Sequence, residues 1–377
     1  LRHPERVRRW GVTLPARALD LIRRPLEKLA PEAALVTGAA AVLGREFQGV
    51  LAAAVADTTR EDALDRFDEI AAAGVIEPAE GPGQWRFCHA LFQEAALQGL
   101  AAGARARLHL RAAAELERRH RDDPDRVMAE LAHHHHASLA VGDAERAFEC
   151  ARRAAERASC VHAHEQAATH WAQAVAALEH CEAVDPVRRL EALLALGAAH
   201  GLAGDRARRR SVFKAAMEAA AALGRPVERA RAAIGFCDLS EWAPDDEEAR
   251  AAMDAALAEL PEAAVAERTR VLTRLAYLWA RGALERSEPI AREAVAAARA
   301  LGDPEALQDA LYTLFFLIAG PDHLEEREAL AREAEAAARL RHLIVTRDGI
   351  DREKQQVLRR RDELGERLAQ IGGDLER

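Results

Sequence analysis

Histidines and cysteines are the side chains with the most chemistry to offer in this sequence, and their spacing decides what they can do. His133, His134, His135 and His136 follow one another without interruption. Consecutive helical positions point about 100° apart, so four imidazoles in a row cannot converge on one metal ion. The run lies inside a helical pattern and reads as structural histidines packed between helices. Cys160 and His164 have an i,i+4 spacing that one helix face could present to zinc, with Cys150, His162 and His170 nearby. No second clean ligand pair completes that set, so no metal residues are assigned. His89 could act as a general base, but no nucleophile or carboxylate stands at a spacing that would partner it. With Phe87 it reads as a structural joint, where a strand turns into a helix. No catalytic or cofactor-binding residue is nominated, and the chain is not expected to be an enzyme.

The elements around these residues are mostly helical. Leu14, Ala18, Leu21, Ile22, Leu26 and Leu29 keep helical spacing, with Pro25 expected to kink or split that helix. Pro31 opens a second helix that ends at Gly44, and a third is expected over residues 46–56. A fourth begins after Thr58 or Thr59, either a good N-cap, and stops at Gly74. Val75-Ile76-Glu77 and Trp85-Arg86-Phe87 then read as a hairpin closed by Gly81-Pro82-Gly83. Three helices and a two-stranded wing predict a winged-helix domain over residues 15–100.

From residue 101 to 343 the pattern is helix after helix, broken at Asp122-Asp123-Pro124, Val141-Gly142-Asp143, Asp185-Pro186, Leu202-Ala203-Gly204, Gly224-Arg225-Pro226 and similar points further on. Gly204 and Gly282, Leu223 and Leu301, Gly224 and Gly302, Pro226 and Pro304 share one offset, 282 − 204 = 78. That is two units of about 39 residues, close to a tetratricopeptide repeat with slightly longer turns. Ala216 with Ala294, Ala219 with Ala297 and Ala222 with Ala300 keep the same offset, which suits closely packed helix pairs. The expected fold class is therefore all-α, a winged-helix domain with a small β-wing followed by an α-solenoid of tetratricopeptide-like helix pairs.

Residues 344–377 form a charged tail in which Ile350, Val357, Leu364 and Ile371 recur every seven residues. Lys354 and Arg361 spoil the partner stripe, so a solvated helix and a dimerisation helix both fit.

Composition agrees with helix. Hydrophobic residues make up 50 % of the 377, aromatic ones only 4 %, and alanine, the best helix former, carries much of the apolar content. The formal charge of −9 suits a soluble surface, not one that coats nucleic acid. Five scattered cysteines without a CxxC pair indicate reduced thiols and a cytoplasmic location. The apolar run from Leu311 to Ile318 is far shorter than a membrane span, which needs roughly 20 residues. A chain that opens at Leu1 in a basic stretch is expected to be a fragment, with residues 1–14 the end of a missing upstream module.

Several segments, taken in order, resemble the C-terminal halves of bacterial signal-transduction ATPases of the STAND class, including LuxR-type and adenylate-cyclase-associated regulators. They are Leu21-Ile22-Arg23-Arg24, Leu26 to Glu32, Ala39 to Phe47, Phe87-Cys88-His89-Ala90-Leu91, Arg105 to His109, and Glu130 to His134 leading to Gly142-Asp143-Ala144. The resemblance implies a regulatory sensor arm that binds a protein or small-molecule effector and relays occupancy to an NTPase module in cis. ATP is implied only for that module: Val36-Thr37-Gly38 lacks the lysine and glycine spacing of a phosphate loop. Trp242, Tyr277, Trp279 and Tyr312 are the candidate effector-binding residues, with burial in the repeat core as the plainer alternative. A plain interaction scaffold without switching is the other function considered.

DNA contact is disfavoured. The helix that would read the groove carries Glu61, Asp62, Asp65, Asp68 and Glu69 against Arg60 and Arg66, and carboxylates repel the phosphates that cations must neutralise. The basic stretch at Arg2, Arg6, Arg8, Arg9, Arg17, Arg23 and Arg24 could touch nucleic acid, but the solvated or domain-facing side of a segment is the preferred reading.

Overall fold

A computed structural model describes residues 16–237, 246–280 and 283–343, with side chains from residue 22 onward except that of Pro321. Residues 1–14, Trp242, Gly282 and the tail from residue 344 lie outside the described residues. The rest is all-α apart from one small sheet, in two compact units that divide between Asp205 and Arg206.

The first unit opens with helix α1 (Ala16–Glu27), which carries Pro25 in its last turn instead of being split by it. Proline removes one N–H bond there, and the helix ends two residues later, where Lys28 N and Leu29 N donate to the carbonyls of Pro25 and Leu26 at 3.3 Å. Helix α2 (Pro31–Leu43) has proline at its first position and Gly44, at φ 128°, just after its end. Val36 to Val42 are all buried, so this helix is the centre of the core.

The expected helix over residues 46–56 needs correction. Glu46–Gln48 is a strand, β1, and helix α3 starts only at Gly49 (Gly49–Ala56). Helix α4 (Arg60–Ala72) follows, with the Thr59 hydroxyl accepting from Asp62 N at 3.1 Å as its cap. Strands β2 (Ile76–Pro78) and β3 (Gln84–Phe87) form the expected hairpin, and β1 adds to the other edge of β3, giving an antiparallel sheet of order β1-β3-β2. Phe47 on β1 is buried between two exposed neighbours, the alternation of a half-buried strand. Its ring lies 5.8 Å from Phe87 and 6.1 Å from Phe67, so the sheet closes over the helices through aromatic contacts.

Helices α5 (Ala90–Gly99) and α6 (Ala102–Arg119) continue the same core, with Leu108 and Ala112 in the hydrophobic cluster of Phe47, Phe67 and Phe87. Arg119 donates to Val50 O at 3.2 Å, tying α6 to α3. A 3-10 turn (Pro124–Val127) leads to α7 (Met128–Ala137), α8 (Ala144–Cys160), α9 (His164–Leu178) and α10 (Pro186–Leu202), successive neighbours joined by short turns.

The second unit contains α11 (Arg206–Ala222), α12 (Pro226–Phe236), α13 (Glu247–Glu259), α14 (Val265–Trp279), α15 (Leu284–Leu301), α16 (Pro304–Leu317) and a helical stretch over 324–343. Helices α11 and α15 start 284 − 206 = 78 residues apart, and α12 and α16 start 304 − 226 = 78 apart. The sequence offset is thus a structural one. Gly224 and Gly302, at φ 62° and 71°, make equivalent left-handed turns. Of the alanine pairs, Ala216 and Ala294 are fully buried, whereas Ala222 and Ala300 are exposed. Ion pairs link each repeat to the next: Arg231 with Glu267 at 2.7 Å, Arg270 with Asp303 at 2.9 Å and Arg299 with Glu333 at 2.6 Å, 33 to 36 residues apart.

Candidate functional site

A cleft of about 1030 Å³ opens in the first unit. One side is formed by the end of α2, strand β1 and the start of α3; the other by α5, α6, the 3-10 turn and α7. Gln93 Nε2 donates to Ala41 O at 3.0 Å and fixes α5 at its rim. Arg105, Arg119, Arg126, Glu46, Glu94 and Glu130 line it, so both signs of charge are present.

Its most distinctive wall is made of histidine. His109 on α6 and His134 on α7 are buried, with their Nδ1 atoms 2.9 Å apart, and His133 is exposed beside them. The three ring centroids are 5.4 Å (109 to 133), 5.2 Å (109 to 134) and 5.3 Å (133 to 134) apart, nearly an equilateral triangle. Burial favours the uncharged ring and pushes the His109 pKa down to about 4 and that of His134 to about 3, with neighbouring imidazoles adding to the effect. At neutral pH the short contact therefore joins two neutral imidazoles, one donating to the other's lone pair.

The run of four histidines divides its labour. His135 turns the other way, its Nε2 3.2 Å from Glu117, which also accepts from Arg146 at 2.8 Å. Cys150 completes that second group, its thiol pushed up mainly by burial. His109 was missed in the sequence because it stands on a different helix, 25 residues before His134, and no periodicity links the two.

Cys160 and His164 need correction. Cys160 is the last residue of α8 and His164 the first of α9, with His162 between them at φ 57°. They are not an i,i+4 pair on one face. His162 and His164 meet edge to face instead, 5.8 Å apart.

The other singled-out residues are placed as follows. His89 is the N-cap of α5, its Nδ1 accepting from Leu91 N at 3.1 Å, and Phe87 beside it is fully buried. Val36-Thr37-Gly38 lies mid-helix and buried, where no phosphate could reach. In the second unit Tyr277 and Trp279 on α14 are half-buried, with Arg250 and Arg286 over the Trp279 ring at 5.1 Å and 5.2 Å. Tyr312 on α16 is 60 % exposed and packs edge to face on Phe316 at 4.6 Å, so it is a surface residue and not a core one. None of these three lines the second unit's small polar groove of about 190 Å³, formed by Arg270, Thr273, Arg274, Glu305 and Asp309 with Ile234 and Ala306.

Among the described residues no helix is long and apolar enough to cross a membrane. No family model and no curated protein matches the chain. Among solved structures it is similar to BtubC from P. vanneervenii, at 15 % identity and a TM-score of 0.41 over 64 % of this chain and 93 % of that one. It is also similar to a signal transduction ATPase with numerous domains (STAND) with a tetratricopeptide repeat sensor from Pyrococcus horikoshii. There the identity is 13 % and the TM-score 0.37, over 83 % of this chain and 51 % of that one, so the chain spans about half of its length.

Proposed function

We propose that the chain is a regulatory arm without catalysis of its own: the helix pairs bind a protein or small effector, and residues 15–100 act as a winged-helix joint that relays occupancy to an NTPase module in cis. The segment order of the first unit, helix–strand–helix–helix–strand–strand, supports the winged-helix reading. The observation that carries the regulatory reading is the outer face of α4. Glu61, Asp62, Asp65 and Asp68 are all exposed there, on the helix that would otherwise enter a DNA groove. An acidic face suits contact with a basic protein surface, so the domain is read as protein-facing. The resemblance of the segments from Leu21 to Ala144 to STAND-class regulators points the same way. Mechanistically, a ligand that prefers one arrangement of arm and joint shifts the population between resting and active states.

The test is nucleotide turnover by the protein that joins this chain to its NTPase module, with and without residues 103–343. Deletion is expected to change the rate several-fold in the absence of effector. Equal rates would overturn the switch and favour a passive scaffold.

A further inference from the structure

We propose that His109, His133 and His134 form a binding site for a divalent transition-metal ion, best matched to Zn²⁺, on the wall of the first unit's cleft. Their donor nitrogens all lie within 4.8 Å of one another. A tetrahedral zinc site with Zn–N of about 2.0–2.1 Å places its nitrogens about 3.4 Å apart, so small ring rotations bring all three onto one ion. The near-equilateral triangle of rings is the arrangement such an ion imposes. Neighbouring residues on one helix diverge by about 100°, which rules out four successive ligands but not two. Here His109, supplied by α6, stands about as far from His133 as from His134 and closes the set. In the pair His109–His134 an ion would take the place of the shared proton, opening the 2.9 Å contact by about half an ångström.

The cleft supplies what a buried histidine cluster otherwise lacks, an open position. All three rings line it, so a fourth ligand from solvent or from an effector can reach the ion, the arrangement of zinc sites that are not purely structural. Two charged residues near the histidines in sequence also line the cleft. Arg105, one helical turn before His109, opposes a cation and favours an anionic fourth ligand, whereas Glu130, one turn before His134, offsets it. The alternative group of Glu117, His135 and Cys150 is less apt. Its carboxylate is already held by Arg146, and its buried thiol resists the ionisation that a zinc ligand needs.

The experiment is calorimetric titration of the chelator-treated full chain with ZnCl₂, repeated with Co²⁺ while the visible ligand-field spectrum is followed. One equivalent is expected to bind, with the absorption of tetrahedral Co²⁺. His133→Ala removes an exposed ring and leaves the fold intact by circular dichroism, and it is expected to weaken binding at least about tenfold. His109→Gln is expected to abolish it; if that variant fails to fold, His133→Ala decides. His135→Gln and the double variant His162→Ala/His164→Ala are expected to bind as the parent does. The site is overturned by absence of a stoichiometric equivalent, by unchanged affinity in His133→Ala, or by an equal loss in either control.

Discussion

At the scale of single residues, Glu115 has the clearest energetic consequence. It sits on α6 with 13 % of its side chain exposed and accepts from Arg118 Nη2 at 2.7 Å and Arg119 Nε at 2.6 Å. Arg119 in turn reaches Val50 O on α3, so the carboxylate anchors the residue that ties two helices together. The hydrogen bond from Arg118, helped by that from Arg119, lowers the Glu115 pKa to about 2 against the burial that would raise it. The unfolded chain therefore takes up this proton first. The stabilisation is complete above the ordinary carboxylate value of about 4.5 and is lost as pH falls from there toward 2. Glu115→Gln is expected to lower stability by about 1 kcal/mol at pH 7, and the deficit should shrink toward zero near pH 2. Urea denaturation at the two pH values checks this; an equal deficit at both would mean that the charge is irrelevant.

At the scale of elements, close approach of helices governs the second unit. Gly235 on α12 faces the ring of Phe213 on α11, and a methyl group there would come within 2.2 Å of Phe213 Cζ. Alanine gains about 1 kcal/mol over glycine in helix propensity, but forcing a buried ring aside costs about 1–3 kcal/mol. Phe213 is only 6 % exposed and has little room to move, so the clash wins. Gly235→Ala should destabilise by about 1 kcal/mol, and in Phe213→Leu the same change should become neutral or favourable. A double-mutant cycle by thermal melts measures the coupling, and purely additive effects would sink the idea. Elements were legible where their signals are local. Thr59 as a cap, Pro31 as a first residue and the turn at Gly224 are each encoded within a few positions. Two elements escaped, one because its signal is distant and one because its local signal uses an unusual residue. Strand β1 exists because its backbone pairs with residues 84–86, which a helical pattern of alanines beside it conceals. The break after Cys160 carries neither glycine nor proline: His162 adopts the left-handed turn, and Ala163 N closes it on Ala158 O at 2.8 Å. The histidine triangle was illegible for a third reason, since it depends on which helices touch.

At the scale of the whole molecule, charge decides what kind of partner the chain can hold. The formal charge is −9, and four exposed carboxylates, Glu61, Asp62, Asp65 and Asp68, lie on α4, the helix that would meet DNA in the winged-helix reading proposed above. Non-specific duplex binding draws nearly all of its free energy from counterion release, with a logarithmic salt slope close to the number of phosphates neutralised. A helix that brings four exposed carboxylates to the groove makes that term unfavourable. The chain is accordingly expected to leave the fluorescence anisotropy of a short labelled duplex unchanged at about 50 mM salt, where electrostatic binding is strong. Reversing the face with Glu61→Lys, Asp65→Lys and Asp68→Lys should create salt-sensitive binding, because these positions are exposed and their substitution disturbs no packing. Arg6, Arg8 and Arg9 are a separate source of attraction, so the parent is also measured with these three replaced by glutamine. Binding by the parent that persists in that variant and weakens steeply with salt would locate a DNA-reading surface on the folded units. The acidic helix would then have to be reinterpreted, and the proposed protein-facing role of residues 15–100 would give way to one that faces nucleic acid.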